Sequence, residues 1–232
     1  MGQKIYETPD DALCATDRFY ESQEGFQYTE ELVRNWLTRY VNLPETGRVL
    51  DLCCGDGIWA YGMKCLKPRL ELFGIDVSSG GIDKARTLMA QSGDAGNFIV
   101  GDVEEKLPYP DAFFDLIFAR GPGLYNQHEM DRPETVDVIE HWHTKLSTRG
   151  RFYSIFASTP LQMGTYTAME NVKLPYNRCP RKSNAVDFKG GKFHHTIQSF
   201  LAPFWRAESI DVVEYFFIKN NHVLVTKKRE CE

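Results

Sequence analysis

No stretch of this chain approaches the ~20 consecutive apolar residues that a membrane span requires. Apolar runs such as Leu116 to Ala119 and Val212-Val213 are fragments. The segment Met1 to Asp10 is polar and has no apolar signal core, so no secretory leader is expected. The six cysteines, Cys14, Cys53, Cys54, Cys65, Cys179 and Cys231, make no CxxC pair and no metal knuckle. Adjacent Cys53 and Cys54 offer only a strained bridge, so reduced thiols in a cytoplasmic protein are expected. Internal repeats and low-complexity tracts are also missing. Neither sign of charge dominates: 27 Lys and Arg stand against 32 Asp and Glu, a net charge of −5. That balance argues against a general nucleic-acid-coating role and leaves room for a local basic patch. What is present is ordinary: 232 residues, 42% apolar and 25% charged, near the globular average. The length suits one medium domain, or a core that carries an insertion.

The pattern along the chain has three parts. Up to about Tyr40 it is helical, with Leu32, Val33, Trp36, Leu37 and Tyr40 at helical spacing and Thr29 with Glu30-Glu31 at the start. From Arg48 short strands alternate with helices. The expected strands are Arg48 to Leu52, Leu70 to Ile75, Asn97 to Val100, Phe113 to Ala119 and Arg151 to Ala157. The expected helices are Ile58 to Leu66, Ile82 to Ala90 and Pro133 to Leu146. Such alternation implies a parallel sheet covered on both faces. After this, Ser209 to Ile218 and His222 to Lys227 read as strands joined by Lys219-Asn220-Asn221, a tight hairpin. The last strand must then run opposite to the others. Between the two sheet regions, Ser158 to His195 has no clear period, and Thr196 to Trp205 suits a helix. The aromatic and basic content of the aperiodic stretch fits an ordered lid.

Chemistry concentrates at three strand ends. Asp51 closes the first strand before Gly55 and Gly57, Asp76 follows the second, and Asp102 follows the third. In a parallel sheet these ends converge on one ligand-binding edge. The glycines let backbone approach a ligand, Asp76 can accept the hydroxyls of a ribose, Asp102 can accept from an adenine amine, and Asp51 suits a cationic amino acid or sulfonium. Any one of these aspartates alone suits a helix cap or a turn; three at successive strand ends beside the glycines do not. A dinucleotide fits less well, because the glycines read GxGxxxxG and a pyrophosphate would meet Asp51 and Asp56.

Val49 to Gly57 resembles motif I of class I S-adenosylmethionine-dependent methyltransferases, and within that family the small-molecule (type 11-like) branch is the nearest in kind. Gly74-Ile75-Asp76-Val77-Ser78, Ile82 to Arg86, Gly101-Asp102-Val103, Leu107-Pro108-Tyr109, Phe114 to Ile117 and Leu146 to Gly150 are similar to its successive segments. The likeness covers about residues 47 to 157 and the final hairpin. One departure is Cys53, which stands where the family usually has its first glycine. The resemblance implies an α/β fold: a Rossmann-like, doubly wound sheet of seven strands with the last antiparallel. It also implies cofactor contacts from Asp51, Cys53, Gly55, Gly57, Asp76, Val77, Asp102, Val103 and Ala119. In that scheme the Asp51 to Gly57 loop holds the methionine part, Asp76 the ribose, and Asp102 with Val103 the adenine, against which Val77 packs.

The acceptor side is less explicit. After the fourth strand come Arg120-Gly121-Pro122-Gly123-Leu124-Tyr125-Asn126-Gln127-His128, without the Asp/Asn-Pro-Pro-aromatic motif of amino-methylating enzymes. Over residues 170 to 192, Lys173, Arg178, Arg181, Lys182, Lys189 and Lys192 outweigh Glu170 and Asp187 by +4, interleaved with aromatics. Arg120, Tyr125, Arg178 and Lys192 are candidate contacts for an anionic or aromatic acceptor. A loop salt bridge for Arg120 and a solvated basic surface for the lid are the plainer alternatives. His128, His194 and His195 are candidate bases, each equally suited to be an ordinary loop residue. His141 and His143, two apart on one helix, cannot share a face, and no metal is expected. Phe19, Tyr20, Phe26 and Tyr28 either fold over the cofactor or pack the N-terminal helix.

The sequence therefore points to a single domain. Residues 1–46 are its helical N-terminal segment, 47–157 its cofactor core, 158–195 its lid, and 196–232 its helix and hairpin. The expected activity is methyl transfer from S-adenosylmethionine, with S-adenosylhomocysteine as product, to oxygen or nitrogen of a small molecule. RNA methylation through the basic lid and non-catalytic cofactor binding as a partner subunit are the alternatives. Nucleic acid is disfavoured as a partner and no membrane is expected. The oligomeric state and the acceptor are left open.

Overall fold

In the computed structural model, residues 30–122, 124, 133–157, 172–175, 188–190, 193–195, 203–204, 206–218 and 221–229 are described. The first helix, α1 (Glu30–Tyr40), carries Glu30 and Glu31 in its first turn and Arg39 in its last, which suits the helix dipole. Its buried stripe is Val33, Trp36 and Leu37, spaced three and four apart. Leu32, expected on that stripe, is instead 47% exposed, because it lies one residue off the 3.6-residue repeat.

From there the strands β1 (Gly47–Leu52), β2 (Leu70–Asp76), β3 (Asn97–Val100), β4 (Phe114–Arg120) and β5 (Leu146–Ala157) alternate with α2 (Ile58–Leu66), α3 (Ser79–Ala90) and α4 (Pro133–Thr144). Three short strands follow, β6 (Val172–Pro175), β7 (Phe188–Gly190) and β8 (Phe193–His195), and then the closing pair β9 (Ile210–Ile218) and β10 (Asn221–Lys228). The main sheet has the order β3-β2-β1-β4-β5-β10-β9-β6. β1 pairs parallel to both β2 and β4, and β10 pairs antiparallel to both β5 and β9. The last strand runs antiparallel, as the sequence hairpin required, and it is inserted between β5 and β9. Ile218 pairs with Asn221, so two residues connect the strands rather than three.

Two elements begin several residues earlier than expected, α4 ends at Thr144 rather than Leu146, and the expected lid contributes strands. α3 begins at Ser79 rather than Ile82, because the Ser78 hydroxyl accepts from the Gly81 N–H at 3.1 Å and caps the helix early. β5 begins at Leu146, with an irregular register between Phe114 and Leu116 that absorbs the Ser147 to Gly150 bend. Within the expected lid, β6 adds an eighth strand by pairing antiparallel to β9, while β7 and β8 make a separate two-stranded sheet.

The sheet separates two cores. One gathers Leu50, Leu52, Ile75, Ile139, Trp142, Phe152 and Phe204 beneath α4. The other gathers Val49, Leu72, Phe118, Trp36, Trp59, Met63 and Ile82 beneath α1, α2 and α3. α1 and α2 approach so closely at Gly62 that a Cβ there would stand 2.7 Å from Val33 Cγ1. At the β3 edge, Gly101 N–H bonds the Asp76 carbonyl at 2.9 Å, which turns the Phe98 peptide outward. The Arg86 guanidinium donates to the Phe98 carbonyl at 2.8 Å. Among the described residues no helix is long and apolar enough to cross a membrane.

Candidate functional site

The order of the strands reverses at β1, whose neighbours β2 and β4 lead away on opposite sides. Loops leaving such a switch point separate and open a crevice. The loop after β1 makes that turn through three left-handed residues, Cys53 (φ 62°), Gly55 (φ 54°) and Gly57 (φ 76°). Cys53 adopts the backbone of the glycine it replaces, a conformation that costs a non-glycine residue about 1–2 kcal/mol. Gly57 leads directly into α2, and a Cβ there would stand 2.7 Å from Ala85 Cβ of α3. Backbone freedom and close packing therefore both require glycine at this position.

Asp76 anchors the loop. One carboxylate oxygen accepts from the Gly55 N–H and the other from the Ser78 N–H, each at 2.9 Å. Asp76 is 6% exposed.

Asp51 is more unusual. It is 2% exposed, and its Oδ2 has no hydrogen-bond partner. The Ala60 N–H in the first turn of α2 donates to this carboxyl group. Burial first, then the nearby Asp76 and Asp56 charges, raise its pKa well above the usual carboxylate range; the Arg120 guanidinium opposes them. Asp56 is also raised, chiefly by burial, while its Oδ1 accepts from Ile58 N–H at 3.3 Å. A buried acceptor left unsatisfied costs about 1–3 kcal/mol. The cationic end of an amino acid is the kind of group that would satisfy Asp51, so this acceptor fits the ammonium group of S-adenosylmethionine.

The other expected cofactor residues are distributed along the same edge. Val77 is half-buried directly after Asp76. Asp102 is exposed, and its Oδ1 accepts from Glu104 N–H at 2.8 Å. Val103 turns its side chain into the core, and its carbonyl accepts from Trp142 Nε1 at 2.7 Å. Ala119 is fully buried beside Leu52. Cys53 packs toward the α4 core, whereas Cys54 lies in the opposite core. Neither cysteine is in a disulfide. Burial, with Asp51 and Asp76 beside it, pushes the Cys54 thiol well up, so it behaves as an inert core residue.

The acceptor side is described only in part. Arg120 ends β4, half-buried, its guanidinium carbon 5.2 Å from the centre of the Trp59 ring. Tyr125, His128, Arg178 and Lys192 lie outside the described residues, as do Phe19, Tyr20, Phe26 and Tyr28. His194 and His195 sit on β8, paired with Lys189 and Phe188 of β7. Of the two helical histidines, His141 Nε2 accepts from Leu107 N–H at 3.0 Å. His143 bridges α4 and β10 through the Ile139 carbonyl and the Thr226 hydroxyl, each at 2.7 Å. Among the described residues no cluster suited to a metal ion occurs.

Sequence reasoning passed over Trp59. Its ring stacks on Phe118 at 5.4 Å and meets Trp36 edge-on at 5.3 Å, linking α1 to the crevice. An aromatic residue two positions after the last loop glycine was the available signal.

Comparison with known proteins agrees with this geometry. A family described as a methyltransferase domain matches residues 49–150. Ribosomal RNA small subunit methyltransferase C of Serratia proteamaculans is 30% identical over 101 residues, covering 44% of this chain and 27% of that protein. Demethylmenaquinone methyltransferase of Geobacillus kaustophilus is 26% identical over 132 residues, covering 56% of this chain and 54% of that protein. The chain thus spans between about a quarter and about half the length of these curated relatives. The fold is similar to that of magnesium protoporphyrin IX methyltransferase of Synechocystis with bound S-adenosylhomocysteine. That match has a TM-score of 0.55 and 14% identity, and covers 98% of this chain and 90% of that one. Residues 49–150 match the methyltransferase-domain family, and the chain has the Rossmann-like fold of the class I S-adenosylmethionine-dependent methyltransferases.

Proposed function

We propose that this protein transfers a methyl group from S-adenosylmethionine to oxygen or nitrogen of a small anionic or aromatic molecule. The observation that carries the cofactor half is the buried Asp51 carboxyl, with one unpartnered oxygen, at the switch point. In this reading Asp51 and the Cys53 to Gly57 loop hold the methionine portion. Asp76, Val77 and Asp102 hold the nucleoside, and Val103 and Ala119 form the floor beneath. When bound, the cofactor supplies a methyl group already activated on a sulfonium. The chain's task is then to align the acceptor and exclude water.

The acceptor half is supported by the net +4 of residues 170 to 192 and the aromatics among them. The similarity to demethylmenaquinone methyltransferase, which extends over 54% of that protein, leans the same way. Residues 158–195 serve as the lid over a single domain, with 47–157 as its cofactor core. Tyr125, Arg178 and Lys192 meet the acceptor, and His128, His194 or His195 takes its proton where one must leave. The reduced thiols among the described residues suit a cytoplasmic location. RNA is a second reading, favoured by the similarity to an rRNA methyltransferase.

Methyl transfer from labelled S-adenosylmethionine to a metabolite extract, compared with total RNA, decides between the acceptors. Label in the small-molecule fraction is expected; label in RNA alone replaces this reading with the second. Asp76→Ala should weaken cofactor binding about 10- to 100-fold, because it removes a buried acceptor and unpins the loop. Unchanged affinity would place the ribose elsewhere.

A further inference from the structure

Arg120, expected on the acceptor side, occupies a position that suits a different task. Asp51 on β1 pairs with Phe118 on β4, two residues before Arg120. Side chains two apart on a strand share a face, so Asp51 and Arg120 stand diagonally across the switch point on one side of the sheet. Both contact the first turn of α2: Asp51 through the Ala60 N–H, and Arg120 through the face of Trp59. Trp59 is itself held between Phe118 and Trp36. The guanidinium therefore rests against a ring that is itself packed on both sides. After Arg120 the chain turns away at Gly121, whose φ is 65° and whose N–H bonds the Ile155 carbonyl.

An α-amino acid carries one cation and one anion on a single carbon. A buried carboxyl with an unpartnered oxygen, next to a braced guanidinium, is the complementary arrangement. From this juxtaposition we propose that Arg120 binds the carboxylate of the cofactor's methionine portion while Asp51 binds its ammonium group. The proposal rests on the cofactor reading above and moves Arg120 from the acceptor to the cofactor. A guanidinium is suited to this because its fork matches a carboxylate in two parallel hydrogen bonds.

The test is equilibrium binding of the full chain to two ligands: S-adenosylhomocysteine, and its decarboxylated analogue with hydrogen in place of the carboxylate. The wild type is expected to bind the acid about 10- to 100-fold more tightly, as befits a charge-assisted pair. Arg120→Met should abolish that preference by weakening the acid alone, and Arg120→Lys should retain part of it. Equal binding of both ligands by the wild type overturns the proposal without recourse to any variant. A preference that survives in Arg120→Met overturns it too. If the wild type binds neither ligand, the cofactor reading itself falls, and the proposal with it.

Discussion

The crevice end of β1 and the seam between α4 and β10 each bury an ionisable side chain, and they treat it in opposite ways. His143 is fully accommodated. The Ile139 carbonyl can only accept, so Nδ1 carries the ring proton and Nε2 accepts from the Thr226 hydroxyl. The ring lies on Phe152 at 4.7 Å, and burial lowers its pKa to about 4. Asp51 keeps an unpartnered oxygen, with Asp76 and Asp56 close enough to disfavour its charge. A buried polar group with every valence satisfied specifies structure. One left incomplete at a switch point costs stability and is available to a ligand.

The largest effect should come from breaking the satisfied side. His143→Ala removes the stack, opens a cavity and leaves the buried Thr226 hydroxyl without its acceptor, so a loss of about 3 kcal/mol is expected in chemical denaturation, with cofactor affinity of the folded protein unchanged. The pH dependence has a definite sign. His143's pKa in the folded chain is about 4, below the ordinary 6.5, so its contribution is complete above pH 6.5. It is lost as pH falls toward about 4, and His143→Ala should flatten that slope. A variant with the same acid profile as the wild type would mean that another group sets it.

Asp51→Asn breaks the unsatisfied side. It removes a disfavoured charge, so cofactor affinity should fall about 10- to 100-fold while the ligand-free protein gains about 1 kcal/mol, or about 2–4 °C in melting temperature. Lower stability with intact binding would make Asp51 a structural residue like His143. The smallest effect sharpens the contrast. Cys53→Gly relieves the left-handed strain at φ 62°, offset by the entropy glycine adds to the unfolded chain. A gain of about 1 kcal/mol in thermal melts is expected. A loss would show that the thiol's packing outweighs the backbone.

The strand-helix alternation and the reversed last strand were legible because each element repeats a clean period and each turn carries its own chemistry. The start of α3 was not, because Ser78 to Gly81 has loop composition and becomes helix only through the Ser78 cap. The strand β6 was hidden in four residues that end in Pro175 and gain meaning only by pairing with β9. In the site, Asp51 and Asp76 could be read from their place at strand ends. Their partners could not: that Asp76 ties Gly55 to Ser78, or that Arg120 stands diagonal to Asp51, depends on register across the sheet. No single segment contains that information.

The Arg86 bond to Phe98 has a consequence for how this protein behaves in a crowd. β3 is the last strand on its side of the sheet, it is only four residues long, and Val100 on it is 52% exposed. Outward-facing peptide groups beside an exposed valine are a template on which a second chain can add a strand. The guanidinium occupies one of those acceptors from the neighbouring helix and sets a positive charge along the border. A strand added at this edge would first have to displace the Arg86 bond to the Phe98 carbonyl.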